Sequence, residues 1–146
     1  MLDVSLANMA PSLAPADTVL AVNNLEAWYG ESHVLHGMTF HIRSGEVVTL
    51  LGRNGAGKTT TIKSIMGVLP KRRGSVVFEG RETITLPPRT IARAGIAWCP
   101  EERGIFSSLS VEENLLLPPV VKPGGLELNR IFQLFPNIKE RLSSPG

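Results

Sequence analysis

The chain has 146 residues, enough for one packed domain or part of one, and its 42% hydrophobic and 19% charged content is ordinary for a soluble globular protein. A formal net charge of +2 is too small to argue for a nucleic-acid partner, and no apolar run approaches the ~20 residues of a membrane-spanning helix. The single cysteine, Cys99, excludes an internal disulfide; inside the apolar run GIAWC it is expected to be a buried structural thiol, which fits a cytosolic setting.

Taken in chain order, the opening MLDVSLANMAPSLAPAD lacks the basic start and long apolar stretch of a signal peptide, so residues 1–18 are expected to be a poorly ordered leader. Residues 19–29, VLAVNNLEAWY, predict a first strand. In the next segment Met38, Phe40 and Ile42 alternate with Thr39, His41 and Arg43, the period of a half-buried strand, and the two strands are expected to be antiparallel. GEVVTLL, apolar and β-branched, predicts a buried central strand. A helix follows, with Ile62, Ile65, Met66 and Leu69 on one face and its end set by Pro70. KRRG reads as a turn, SVVFEGRE as a short strand closed by glycine, PPRTIARAG as a turn and short helix, and GIAWCPEE as a second apolar strand ending at Pro100. From Val111 the character changes: VEENLLL and LNRIFQLFPNIKERL predict helices, separated by the loop PPVVKPGG. There is no internal repeat and no low-complexity tract.

The chemistry is concentrated between the central strand and its helix. In LLGRNGAGKTTTIK, Gly52 is followed by four residues and then Gly57, Lys58 and Thr59, the spacing of a phosphate-binding loop. Gly52, Gly55 and Gly57 let the backbone turn tightly and aim several N–H groups at one anion, with Arg53, Asn54 and Ala56 completing the cradle. The helix beginning near Lys58 directs its positive dipole end to the same place. Lys58 is expected to reach the β- and γ-phosphates, Thr59 to ligate Mg²⁺ through its hydroxyl, and Thr60 to add a further phosphate hydrogen bond. A glycine-rich turn that binds nothing is the plain alternative; agreement of four fixed positions with the strand before and the helix after weighs against it.

GRNGAGKTT, the Tyr29-Gly30 pair some twenty residues upstream, and CPEERGIFSSLSVEENL downstream together resemble the ATP-binding subunit of ABC transporters. The resemblance runs from about Val19 to the end. Within that family it is most similar to the second ATPase of branched-chain amino acid importers, on WYG…HVLHGMTF, Glu101 after Pro100, and LFPNIKERL; importers of urea or short amides are close to the same group. The resemblance implies an α/β fold, the N-terminal portion of a P-loop ATPase domain over residues 19–146, with an antiparallel β subdomain and the start of a helical one. It implies ATP and Mg²⁺ as cofactors, Tyr29 stacked on adenine, and Glu101 near Mg²⁺ and the γ-phosphate. It also implies membrane-spanning permease subunits and a second nucleotide-binding subunit as partners, at the inner face of the plasma membrane.

Other expected parts are missing. The only aspartates, Asp3 and Asp17, precede the loop, so the Mg²⁺-holding aspartate of P-loop NTPases, and the family's catalytic glutamate after it, are not at their usual place. His33, His36 and His41 also precede the loop, so the family's switch histidine is lacking, and LSSPG is no substitute for its LSGGQ-type signature. No catalytic residue is therefore assigned. The expectation is a chain that stops before the signature, binds ATP·Mg weakly, hydrolyses it negligibly, and is poorly soluble through exposed apolar edges. A non-hydrolysing binding or interaction module is the alternative. A GTPase is disfavoured because no aspartate follows Gly52, and a histidine metal site because His36 and His41 differ in strand parity.

Overall fold

The computed structural model describes residues 16–102, 104–121 and 123–146; most of the expected leader lies outside the described residues. The chain divides into two compact units, one ending at Pro88 and the other spanning Arg89–Gly146.

The first unit is built on β1 (Thr18–Tyr29) and β2 (Ser32–Arg43), antiparallel across the turn Gly30–Glu31, where Gly30 takes a φ of 57°. β3 (Arg72–Phe78) joins the other side of β1 and β4 (Arg81–Glu82) closes the sheet, giving the order β2-β1-β3-β4. The alternation expected in β2 holds: Met38, Phe40 and Ile42 are half-buried while Thr39, His41 and Arg43 are exposed. In β1 the buried positions are Ala21, Val22, Leu25 and Ala27, a step of three between Val22 and Leu25 where pleating would give two. A bulge causes it. Asn24 adopts a φ of 47°, and the register with both β2 and β3 shifts across residues 23–26.

Helix α1 (Lys58–Ile65) buries Thr61, Ser64 and Ile65, followed by Met66 and Leu69, into a core shared with Val22, Leu25, Leu35 and Val76. The buried hydroxyls are satisfied within the backbone: Thr61 donates to the Gly57 carbonyl at 2.9 Å, Ser64 to Thr60 at 2.8 Å, and Thr83 to Val76 at 2.9 Å. Ile62, expected on the apolar face, is instead 39% exposed, because the helix turns Thr61 and Ser64 inward.

Two expected strands are absent. Residues 46–53 and 96–100 form no strand and join no ladder among the described residues, leaving Val47 94% and Leu51 84% exposed. β-branched composition favours extended backbone, yet a strand exists only where a neighbour takes up its N–H and C=O groups, and neither run finds one. Cys99 is correspondingly exposed, not the buried thiol its apolar neighbours suggested.

The second unit is helical: α2 (Pro88–Ala94, which starts on the boundary), α3 (Val111–Leu116), α4 (Leu128–Leu134) and α5 (Pro136–Lys139). Ser110 and Glu113 cap α3 reciprocally. The stretch LNRIFQLFPNIKERL is broken because Phe135, preceding Pro136, is driven to φ −133° and ψ 74°. No helix among the described residues is long and apolar enough to cross a membrane.

Candidate functional site

The glycine-rich loop follows the unpaired run at 46–51 and ends in α1. Between them the Ala56 N–H donates to the Arg53 carbonyl at 3.1 Å, closing a tight turn, and Gly55 and Gly57 have φ of 82° and 90°. Gly57 serves two demands. It is the left-handed N-cap of α1, and a β-carbon there would come within 2.8 Å of the Leu35 side chain on β2. Because the cap is glycine, no side chain accepts from the first turn of α1, and that turn carries no acidic residue. The first-turn N–H groups and the positive end of an eight-residue helix are therefore left without a side-chain cap where the loop meets α1.

Lys58 folds back over the same loop. Its ammonium donates to the carbonyls of Gly52 at 2.7 Å and Arg53 at 2.9 Å, so the cation is held inside the cradle. Arg53, Asn54, Gly55, Ala56 and Thr59 are exposed, and Gly57, Lys58 and Thr60 half-buried, so the loop is accessible to a ligand. What this arrangement can do is grip an anion: uncapped N–H donors, a helix dipole and an ammonium held beside the loop act together on oxygen-rich charge.

Tyr29 ends β1 immediately before the Gly30–Glu31 turn and is 48% exposed, available for a planar partner. It shares the first unit with the loop. Glu101 belongs to the second unit, exposed in a bend after Pro100. For Mg²⁺ the chain offers the exposed Thr59 hydroxyl at the start of α1; no group of three or more His, Cys, Asp or Glu side chains converges among the described residues. That donor set fits an ion held chiefly by phosphate and water oxygens, not by a protein cage.

Two features escaped the sequence. One is the tie between Lys58 and the loop carbonyls, which depends on a side-chain rotamer. The other is a group around the Tyr29 hairpin: Trp28 stacked on His33, with Lys71 and Arg73 over the indole. The two-residue turn at Gly30–Glu31 was the available signal, since it places Trp28 opposite His33.

Comparison with known proteins places this geometry. Residues 35–144 match the family model described as ABC transporter. The chain is 37% identical over 126 residues to the high-affinity branched-chain amino acid transport ATP-binding protein BraG of Pseudomonas aeruginosa, covering 84% of this chain and 54% of that protein. It is 39% identical over 97 residues to the lipopolysaccharide export system ATP-binding protein LptB of Escherichia coli K12, covering 66% of this chain and 40% of that one. A solved structure of an ATP-binding subunit of an ABC transporter superposes with a TM-score of 0.74 at 34% identity, over 88% of this chain and 54% of that one. The chain thus spans about half the length of the relatives it matches.

Proposed function

The chain belongs to the ABC transporter family, with the fold of the N-terminal portion of its ATPase domain, and on that premise we propose that it binds ATP·Mg for a transporter that imports branched-chain amino acids. The observation that carries the reading is the loop itself. A G-x-x-x-x-G-K-T sequence ends on a glycine-capped helix with unclaimed N–H groups and a lysine poised over the cradle. Gly52, Arg53, Asn54, Gly55, Ala56 and Gly57 wrap the phosphates, Lys58 moves from the loop carbonyls to phosphate oxygens, and Thr60 adds a hydroxyl. Thr59 contributes a ligand to Mg²⁺, which when bound neutralises phosphate charge. Tyr29 takes the adenine ring and Glu101 senses the γ-phosphate.

Support for the branched-chain reading is the longer reach of the likeness to BraG, 126 residues against 97 for LptB, together with Glu101 after Pro100. In that setting the partners are permease subunits and a second nucleotide-binding subunit, and the protein sits at the inner face of the plasma membrane. In such a dimer each phosphate loop faces the partner's signature, so this chain offers half of one composite site and by itself binds nucleotide without turning it over.

The test is titration of the chain with ATP·Mg alongside a phosphate-release assay. Wild type should bind, and Lys58→Ala should weaken binding about 10- to 100-fold through the loss of charge-assisted hydrogen bonds. Binding indifferent to Lys58 would refute the phosphate cradle. Phosphate release that Lys58→Ala abolishes would refute the non-hydrolysing state.

A further inference from the structure

The residue proposed to meet the base, Tyr29, is held by its neighbours on both sides. Before it, the Trp28 indole lies flat on His33 of β2, with ring centroids 4.3 Å apart and planes within 8°. His33 is met edge-on by His36, 4.2 Å between centroids. From the β3 side the Arg73 guanidinium carbon lies 5.5 Å and the Lys71 ammonium 5.8 Å from the indole centroid. The Trp28 backbone N–H donates to the Lys71 carbonyl at 3.0 Å. Through its ring and its main chain together, Trp28 joins β2, β1 and the start of β3 at the end of the hairpin.

After Tyr29, the same Lys71 reaches over the turn. Its ammonium pairs with the Glu31 carboxylate at 3.2 Å and lies 3.5 Å from the Gly30 carbonyl. Backbone and side chain of Lys71 thus bracket Tyr29, although residues 29 and 71 are far apart in sequence. An aromatic contact depends on ring placement, since the ring quadrupole favours offset-stacked and edge-on arrangements over others.

We propose that Trp28 and Lys71 are positioning residues that hold Tyr29 where it meets the base of the nucleotide. The proposal rests on the reading that the loop binds phosphate and Tyr29 the adenine, and the two can fail separately. The discriminating pair of ligands is ATP and inorganic tripolyphosphate, each with Mg²⁺, titrated calorimetrically into the full chain. Both engage the loop, but only ATP carries a base.

Lys71→Met should weaken ATP about two- to fivefold while leaving tripolyphosphate unchanged, the scale of one exposed cation–aromatic contact. Lys71→Arg should restore ATP affinity. Trp28→Leu should act in the same direction, about three- to tenfold; should that variant not fold, Lys71→Met decides alone, because Lys71 is 48% exposed. Equal losses for both ligands would mean that Lys71 acts only as a charge, and no loss for either would mean that it positions nothing; each result overturns the proposal. Wild-type chain that binds neither ligand would overturn the phosphate reading and this inference with it. Wild-type chain that binds both equally would remove Tyr29 as a base contact and leave the loop reading intact.

Discussion

Glu82 carries more of the sheet than its exposed position suggests. One carboxylate oxygen accepts from the N–H groups of Val76 and Thr83 at 2.9 Å and Ile84 at 3.0 Å, and the other accepts from the Ser75 hydroxyl. Partial burial pushes its pKa up, but these hydrogen bonds together outweigh burial and hold the group below the usual carboxylate range. A carboxylate with a lowered folded-state pKa stabilises the fold above its unfolded value, and that contribution is lost as pH falls through the folded value. Glu82→Gln should therefore cost about 1 kcal/mol at pH 7, a figure kept small because the side chain is largely solvated. Urea denaturation of both proteins should show the gap closing as pH drops below about 4, since wild type then loses the same charge. None of this was readable in advance. A fixed spacing is enough to propose a phosphate role for Lys58, whereas three N–H groups converge on Glu82 only after β3 and β4 have paired.

At the scale of elements, the bulge in β1 has the widest consequences. Gly37 on β2 and Gly74 on β3 flank it: a β-carbon at Gly37 would lie 2.7 Å from the Asn24 amide oxygen, and one at Gly74 would press on the Asn24 carbonyl itself. Gly74 also has a φ of 107°, outside the range L-residues adopt. Gly74→Ala should destabilise the first unit by about 2 kcal/mol or more, since the obstacle is backbone and cannot rotate away. Thermal unfolding would show it as a lowered Tm, with Gly80→Ala, which meets nothing within 4 Å, as the milder comparison. The antiparallel pair was legible because a period of two in β2 survives into the structure. The bulge was not read, although Asn23-Asn24 carried a signal for it: asparagine is a poor strand former that tolerates positive φ, and the two flanking glycines come beside it only in the folded sheet. The helical stretch after Leu128 was read as continuous, and Pro136 divides it.

Over the whole molecule, apolar content was the least reliable guide. GEVVTLL and GIAWC look like core strands, and their composition says nothing about whether a partner strand is present to receive them. Their exposure predicts an uneven pattern of amide exchange. Amides at 47–51 should exchange within the first seconds, while those of Ala21, Val22 and Val76, buried in the sheet, should stay protected; slow exchange at Val47 and Leu51 would mean that the run is paired in solution. The phosphate loop inherits this asymmetry, since its far end is rooted in α1 and its near end leads from a run that joins no ladder among the described residues. If exchange shows that run to be mobile, a ligand gripping the loop also orders it, at an entropic cost of about 1–2 kcal/mol for each residue brought to rest. Nucleotide affinity would then understate the strength of the grip, with the binding enthalpy well in excess of the free energy.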